Sequence, residues 1–344
     1  MEKQQGWKKI LKVDPTDKLL EQSEHMDRYY ILREIMEKTG DDVAVSNLRD
    51  TLVDEILSKQ MENGSWNGKP YDYQNGTTHQ LMKLIELGLN SQDAPVKKGT
   101  YYLFQCQAED GSFIQGEIKC VCGTDRDPVA GKFPVINTNP VVTNAVLLAL
   151  ARTGYGDDPR VAKGYDWLCS WQDKDGSWLS PRSRQCREHG EGYPHPYCGI
   201  HSTCNSLLGL SSTKKTRQSQ AARRGAEFIL SLYGSKYNRS NEPPYAVTGT
   251  PFNGAWFDTR CVAPADAKPS DIVIEVASTQ HVLSTLSMLG YGLDNEKVRA
   301  GVQRLLEFQS QDGLWFRDHQ LTLYVLMTIK SLYQPLRFFS FHGH

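Results

Sequence analysis

The stretch Gln172-Asp-Lys-Asp-Gly-Ser-Trp178 occurs, with small changes, four times in this chain. The other copies are Gln60-Met-Glu-Asn-Gly-Ser-Trp66, Gln107-Ala-Glu-Asp-Gly-Ser-Phe113 and Gln309-Ser-Gln-Asp-Gly-Leu-Trp315. Their first residues lie 47, 65 and 137 residues apart, so the last interval is about two repeats long. Recurrence at this spacing indicates an array of one supersecondary element. We therefore expect a degraded fifth copy around Phe228–Lys236, where a helix-then-turn pattern returns without the Gln and the Trp.

Each copy lies between two helical patterns. The run before it is amphipathic, as in Val96–Phe104 and Val298–Phe308, with apolar residues at helical spacing. The Asn/Asp-Gly pair then ends the helix, because glycine adopts the left-handed cap conformation without steric cost. A second, more apolar helix follows, which we call an inner helix. The predicted inner helices are Thr77–Leu87, Val142–Leu150, Ser202–Leu210, Ser278–Leu286 and Gln320–Ile329.

With an opening helix near Glu21–Lys38, these patterns predict about six inner helices and five or six amphipathic outer helices. A helix that is apolar on all sides must be buried, and a ring of such helices inside a ring of amphipathic ones buries them. We expect an all-α fold, an (α/α)6 toroid of tandem helical hairpins in a single domain, 1–344, with no strand outside the loops. The predicted repeats span about 20–90, 94–154, 158–212, 218–291 and 295–335.

The repeats resemble the QW motifs of the terpenoid cyclase and protein prenyltransferase superfamily, whose members, squalene-hopene-cyclase-like proteins among them, share an α/α toroid. The resemblance covers roughly residues 45–333. It implies that the Gln and the aromatic residue join the end of one outer helix to its neighbour. The repeated aromatic residues would then be structural, namely Trp66, Phe113, Trp178 and Trp315. The toroid hosts several chemistries, so the motif indicates the fold more specifically than the function.

The composition excludes several classes of partner. The formal net charge is −1, which gives no electrostatic footprint for nucleic acid or a membrane surface. The N-terminus lacks the apolar core of a signal peptide, and no uncharged apolar run is long enough for stable membrane insertion. We expect a cytoplasmic protein, in which the eight cysteines are thiols or metal ligands rather than disulfides. The sequence leaves open whether the chain forms a homo-oligomer.

The connections from an outer to an inner helix are long, at about 111–140, 176–200 and 235–275. In the predicted toroid they emerge on one face, where the inner helices begin. Long loops without secondary structure in a compact domain are usually binding or catalytic segments. The free N–H groups of the inner helices also point to that face and favour anions.

Most of the remaining Cys and His residues fall in these loops. Thiolates and imidazoles at short separations can coordinate one tetrahedral metal ion, and zinc is the metal that most commonly binds such a set in the cytosol. The candidate ligands are Cys120, Cys122, Cys186, Cys198 and His201. The spacing matches no standard zinc finger, so unpaired loop thiols and reversible redox chemistry remain alternatives.

Two branches of the superfamily can be tested at the helix starts. Thr203–Ser211 is similar to the zinc-binding stretch of protein prenyltransferase beta subunits, but Ser202 stands where that family has its ligand His, and its Asp-x-Cys pair has no counterpart here. Class II terpene cyclases carry an Asp-x-Asp-Asp acid at the start of an inner helix. The corresponding segments are Asn139–Val142, Gly199–Ser202, Glu275–Ser278 and Asp318–Leu321, and none of them matches.

The same comparison of the inner-helix starts predicts which polar residues line a central cavity. The substrate-binding candidates are His79, Asn139, Asn144, Cys204 and His319. The catalytic candidates are His201 as ligand or base, Glu275 and Asp318 for proton transfer, and His281. A negative charge at the start of a helix also stabilises the helix through its dipole. This structural role stays open as an alternative for Glu275 and Asp318.

We expect an enzyme that binds a hydrophobic or isoprenoid-like small molecule. The expected chemistry is that of a cyclase, hydratase or lyase without the Asp-x-Asp-Asp acid, assisted by a Cys/His-bound zinc acting as a Lewis acid or water activator. Three alternatives remain: a carbohydrate-active lyase or hydrolase toroid, for which Arg182, Arg184, Arg187 and Arg260 would bind acidic sugars; a zinc-clasped, non-catalytic interaction module; and a prenyltransferase beta-like subunit.

Overall fold

The structure is a computed structural model, and it describes residues 6–23, 25–72, 75–114, 139–179, 200–237, 250–251, 253–258 and 270–334. Contacts within the chain group into two compact units. Unit 1 consists of Met1–Ser58, Ile229–Asn238 and Thr248–His344, and unit 2 consists of Lys59–Phe228 and Arg239–Val247. The single domain expected from the repeats stays a prediction.

The described residues are mainly helical. The α-helices are α1 (Thr16–Gln22), α2 (His25–Tyr30), α3 (Val43–Leu57), α4 (Thr77–Glu86), α5 (Ala94–Gln105), α6 (Pro140–Leu150), α7 (Pro159–Ser170), α8 (Ile200–Ser211), α9 (Lys214–Arg217), α10 (Gln220–Ser231), α11 (Asp271–Met288), α12 (Glu296–Glu307) and α13 (His319–Tyr333). A 3-10 helix spans Gly6–Ile10, and π-helical turns follow α2 at Ile31–Ile35 and α6 at Ala151–Tyr155.

The predicted alternation of helix types is present. The outer helices α3, α5, α7, α10 and α12 each precede a motif region, and α12 shows why they are amphipathic: Val298, Val302 and Leu305 are buried on one face. The inner helices are α4, α6, α8, α11 and α13, and in α11 every residue from Ile274 to Leu286 is buried. Among the described residues, no helix has the length and apolar character needed to cross a bilayer.

Three short strands lie in the connection between α10 and α11, where the sequence analysis left room for strands. They are β1 (Ser235–Tyr237), β2 (Thr250–Pro251) and β3 (Trp256–Asp258), in the order β2-β1-β3. Strand β1 pairs antiparallel with β2 and parallel with β3, with Ser235 opposite Trp256.

The glutamine of each motif joins two segments, as the resemblance implied. In unit 2, the side-chain amide of Gln172 donates to the carbonyls of Gly176 and Ala221, at 2.9 Å each. Gln60 and Gln107 make the matching bonds to their own motif glycine and to a carbonyl of the next outer helix. In unit 1, Gln309 donates instead to Gly313 and to Val13 of the N-terminal segment. Gly176 has φ +95°, so it adopts the expected left-handed conformation. The prediction that the Asp-Gly pair ends the helix is wrong, because α7 already ends at Ser170 with Trp171 in the right-handed region, and Gly176 lies in the turn that follows.

A threonine of the following inner helix fixes each aromatic residue, and this contact was not predicted. The backbone N–H of Trp178 donates a hydrogen bond to Oγ1 of Thr203, at 3.3 Å. The equivalent pairs are Trp66 with Thr77, Phe113 with Thr143, Trp256 with Thr279 and Trp315 with Thr322. All five threonines are fully buried. The repeated aromatic residues are buried too, which confirms that they are structural.

A glycine of the next outer helix lies against each of four aromatic rings. A Cβ on Gly225 would lie 2.7 Å from Cζ3 of Trp178 and 2.9 Å from Cδ2 of Leu207. Gly99, Gly164 and Gly301 are similarly close to an aromatic ring and an inner-helix leucine. Only a residue without a side chain permits this packing distance.

The fifth copy differs from its prediction. Helix α10 ends where expected, but the aromatic residue of the motif is present as Trp256, twenty residues beyond Lys236. Its indole donates to the carbonyl of Ile229, as that of Trp178 donates to Leu168. The bond from Gly234 N to Ala255 O matches that from Asp173 N to Ser177 O, which places Tyr233 at the position of the glutamine. The residues inserted between Tyr233 and Trp256 separate the two parts of the motif in the sequence. The pairing of β1 with β3 brings them together in the structure.

Candidate functional site

The inner helices of unit 2 pack side by side in the order α4, α6, α8. Most of their side chains are buried, but one stripe on α6 and the first turns of α8 are partly exposed. The stripe on α6 consists of Val141, Ala145 and Leu148, and the partly exposed residues of α8 are His201 and Asn205. Spacings of three and four residues put each set on one side of its helix. We call these five residues the α6/α8 face.

Local sequence explains why this face is held in place. Helix α6 begins at Pro140, and the side chain of Asn139 caps it by accepting a hydrogen bond from Val141 N at 2.9 Å. Thr143 and Thr203 then tie the two helices to Phe113 and Trp178 of their motifs. The predicted site residue Asn139 is therefore a helix cap at the edge of the face.

Asn144 lies where α6 and α8 approach each other. Its side chain is buried against Gly209, where a Cβ would have no space. Within the described part of the chain, its Oδ1 has no hydrogen-bond partner. Its position between two helices indicates a packing role, and its role in substrate binding stays a prediction.

His79 is buried on α4, two residues after the threonine that binds Trp66. Its ring lies 5.6 Å from that of Tyr71, between centroids, at a tilt of 46°. Burial lowers the pKa of His79 to about 4, with a further contribution from the charge of Lys83. A buried imidazole with this pKa is neutral at pH 7 and can accept a proton or a hydrogen bond.

His201 and Cys204 lie in the first turn and a half of α8. His201 is partly exposed on the α6/α8 face, whereas Cys204 is fully buried. Among the described residues, unit 2 therefore contains five of the predicted site residues: His79, Asn139, Asn144, His201 and Cys204. Of these, His201 is the one whose side chain the structure places on the face.

Glu275 has structural partners in unit 1. One of its oxygens accepts hydrogen bonds from Ala255 N at 3.0 Å and from Arg304 Nε at 2.8 Å. The side chain of Glu275 is 2% exposed and that of Arg304 is 31% exposed. The hydrogen bond to Glu275 raises the pKa of Arg304 above its usual value, so the guanidinium stays charged. These contacts give the carboxylate a clear role in joining α11, α12 and the segment before β3.

The other predicted residues of unit 1 lie on α11 and α13. His281 is buried on α11, at the position equivalent to His79 in its own repeat. Asp318 is exposed and caps α13 by accepting from Leu321 N at 2.9 Å. His319 is the first residue of that helix and is partly exposed. The cap agrees with the structural alternative for Asp318, and the catalytic roles stay predictions.

The predicted metal ligands Cys120, Cys122, Cys186 and Cys198 lie outside the described residues, as do Arg182, Arg184, Arg187 and Arg260. Where the structure does describe the chain, no group of three or more His, Cys, Asp or Glu side chains is placed to hold a metal ion. The zinc site and the carbohydrate alternative therefore remain predictions.

Four residues of the face were not predicted: Val141, Ala145, Leu148 and Asn205. The signal that would have found them is the threonine that binds each motif. Counted from Thr143, the stripe occupies positions −2, +2 and +5; counted from Thr203, His201 and Asn205 occupy −2 and +2. Val141, Ala145 and Leu148 carry no reactive group, so side-chain chemistry does not identify them and only this register does.

Residues 30–202, half of the chain, match the family model of the squalene-hopene cyclase C-terminal domain. The chain belongs to this family. It is 30% identical over 147 residues to a squalene-hopene cyclase from Zymomonas mobilis, a match covering 40% of this chain and 21% of that protein. The chain thus spans about a fifth of the length of that relative.

Two solved structures align with most of the chain. A protein from Actinoplanes aligns with a TM-score of 0.51 at 16% identity, over 86% of each chain. The type II terpene cyclase MstE from Scytonema aligns with a TM-score of 0.47 at 12% identity, over 85% of this chain and 83% of that one. The family match confirms the resemblance to the terpenoid cyclase superfamily. Together with the helical hairpins of the described residues, it confirms the predicted fold class, an all-α (α/α)6 toroid of tandem hairpins.

Proposed function

We propose that this chain is an enzyme that binds a hydrophobic, isoprenoid-like small molecule on the α6/α8 face. The observation that carries this proposal is the partly exposed stripe of Val141, Ala145 and Leu148 on an otherwise buried helix. Apolar side chains exposed in a row on a core helix are typical of a ligand site, because they gain stability when a ligand removes them from water. Membership of the cyclase family supports the choice of ligand.

The proposed chemistry is cyclisation, hydration or lyase-type proton transfer without an Asp-x-Asp-Asp acid. On the face, His201 is the side chain able to exchange a proton near neutral pH, and we assign it the role of base or acid toward the bound ligand. Glu275 is left out of this assignment because Ala255 and Arg304 already engage its carboxylate.

The cysteine-bound zinc is a separate part of the proposal. The thiolates of Cys120, Cys122, Cys186 and Cys198 have the donor chemistry that zinc prefers, and these four would complete a tetrahedral site without His201, which is then left to act on the ligand. Elemental analysis of protein purified without added metal tests it, and we expect about one zinc per chain. If the metal content is negligible and folding is unaffected by chelators, the zinc site is wrong while the ligand site stands.

The function is tested by incubating the full chain with farnesol, geranylgeraniol and squalene and analysing the extracts by gas chromatography and mass spectrometry. We expect conversion of at least one of them. Ala145→Phe fills the α6/α8 face and should reduce turnover at least tenfold, whereas Ala44→Phe, at an exposed position of α3, should leave it unchanged.

Two results would contradict the proposal. One is full turnover in the folded Ala145→Phe variant, which would show that the face is not the ligand site. The other is the absence of both conversion and binding for all three compounds.

A further inference from the structure

The last motif is joined to a non-helical segment, whereas the motifs of unit 2 are joined to a helix. In unit 2, Gln172 donates to the carbonyl of Ala221, the second residue of α10. In unit 1, Gln309 donates at 2.7 Å to the carbonyl of Val13, which lies in no helix or strand. We call the segment Leu11–Asp14 the strap. At the last motif, it takes the place that an outer helix takes in unit 2.

Polar contacts hold the strap at this motif. Both polar atoms of the Gln309 carboxamide engage it, because the N–H of Lys12 donates to Oε1 at 2.7 Å while Nε2 donates to Val13. The ammonium group of Lys12 donates to the carbonyls of Glu307 and Gln309, at 2.9 and 3.2 Å. Helix α12 ends at Glu307, and the last carbonyls of a helix lack partners within it and favour a positive charge. Lys12 therefore caps α12 from the strap.

The strap lies at the surface between two anchored positions. Leu11 is partly exposed, and the three residues that follow it are exposed. Trp7 and Leu19, which flank the strap along the chain, are buried. An outer helix such as α7 instead buries apolar side chains along its length, among them Val161 and Leu168. Because segments with few buried apolar contacts open at a lower free energy than the whole fold, we expect the strap to open locally.

The turn of the last motif lies beneath the strap. A Cβ on Gly313 would lie 3.2 Å from the carbonyl oxygen of Val13 and 3.0 Å from Cβ of Pro15. The equivalent glycine in unit 2, Gly176, lies instead against the backbone of α10 at Arg224. Release of the strap therefore exposes the turn at Gly313 to water, whereas Gly176 is exposed only if a helix is displaced.

We propose that the strap is a releasable closure of unit 1. Its release breaks both bonds to the Gln309 carboxamide, removes the Lys12 cap from α12 and opens the turn at Gly313. The anchors at Trp7 and Leu19 stay in place. The last motif is thus the point at which unit 1 opens without global unfolding, and the positive charge of Lys12 sets how often it opens.

Hydrogen–deuterium exchange of the full chain, read by mass spectrometry with fragmentation, tests this proposal. The amides of Gly313 and Gly176 donate within equivalent turns, and we expect that of Gly313 to exchange about tenfold faster or more. Lys12→Gln removes the charged cap and should speed exchange in the strap and at Gly313 by a further factor of about five or more. Lys9→Gln makes the same change at a nearby exposed lysine and should leave both rates unchanged.

A second pair of variants makes the test independent of Lys12. Gln309→Met removes both carboxamide bonds to the strap and should also speed exchange at Gly313, whereas Gln172→Met should not. If Gln309→Met does not fold, Lys12→Gln decides the question. Equal exchange at Gly313 and Gly176 in the wild-type chain would overturn the proposal. Faster exchange in the strap of the variants without a rise at Gly313 would also overturn it, because the strap would then fray without opening the motif.

Discussion

The motif at Gln172–Trp178 in unit 2 and the motif around Tyr233 and Trp256 in unit 1 make the same backbone contacts with different side chains. In both, an indole donates to a carbonyl of the preceding outer helix, and its backbone nitrogen donates to a threonine of an inner helix. In unit 2 the remaining contacts come from the neutral amide of Gln172. In unit 1 the ring of Tyr233 packs edge-on against Trp256 at 4.9 Å instead.

A charged pair accompanies the altered motif. Glu275 accepts from Ala255 N, beside Trp256, and from Arg304 on the next outer helix. An ion pair therefore makes the link between segments that the glutamine makes elsewhere. The difference teaches that an acidic residue at an inner-helix start can be part of the architecture, which leaves His201 as the proton-transfer candidate on the proposed site.

The largest expected effect tests whether the two motifs are equivalent. Trp178→Ala and Trp256→Ala each remove a fully buried indole and should each lower the free energy of unfolding by about 3 to 5 kcal/mol. Chemical denaturation followed by circular dichroism measures both values. Equivalence would be wrong if Trp256→Ala cost less than about 1 kcal/mol.

Acid pH should weaken the glutamine-type repeat that contains Trp66, because α4 also holds His79. Burial lowers the pKa of His79 to about 4, so below about pH 6.5 the unfolded chain binds a proton that the folded chain does not. Stability is complete above that pH and is lost as the pH falls toward 4, by roughly 2 to 3 kcal/mol. Unfolding measured from pH 8 to pH 4 should show a smaller loss in His79→Gln. An identical pH dependence in the two proteins would contradict the assignment.

Glu275→Gln tests the ionic link of the altered motif. The amide can still accept from Ala255 N but loses the charge that Arg304 requires, so we expect a loss of about 1 to 3 kcal/mol. Turnover per folded molecule should stay close to the wild-type value. A stable but inactive Glu275→Gln variant would restore this carboxylate as a catalytic group.

The smallest effect concerns the glycines beneath the two indoles. Gly225→Ala and Gly301→Ala would place a methyl group 2.7 and 2.8 Å from the respective Cζ3 atoms. Overpacking is partly offset by the better helix propensity of alanine, so a loss of about 0.5 to 2 kcal/mol is expected for each. Thermal unfolding of both variants checks this, and a stabilised Gly301→Ala would show that the altered motif is more loosely packed.

The repeats made the helical hairpins and the structural role of the aromatic residues predictable, because periodicity and turn glycines are local signals. Trp256 was missed because an insertion separates it from α10, and only the pairing of β1 with β3 brings it back. The site was less predictable, because exposure on a core helix depends on how its neighbours pack. His201 was found from its chemistry, whereas Ala145 and Leu148 have none and are recognised by position alone.

A crystal structure of the full chain with farnesol bound tests the central claim most directly. We predict that the hydrocarbon chain lies against Val141, Ala145 and Leu148 of the α6/α8 face. Farnesol bound elsewhere, with protein covering the α6/α8 face, would contradict it.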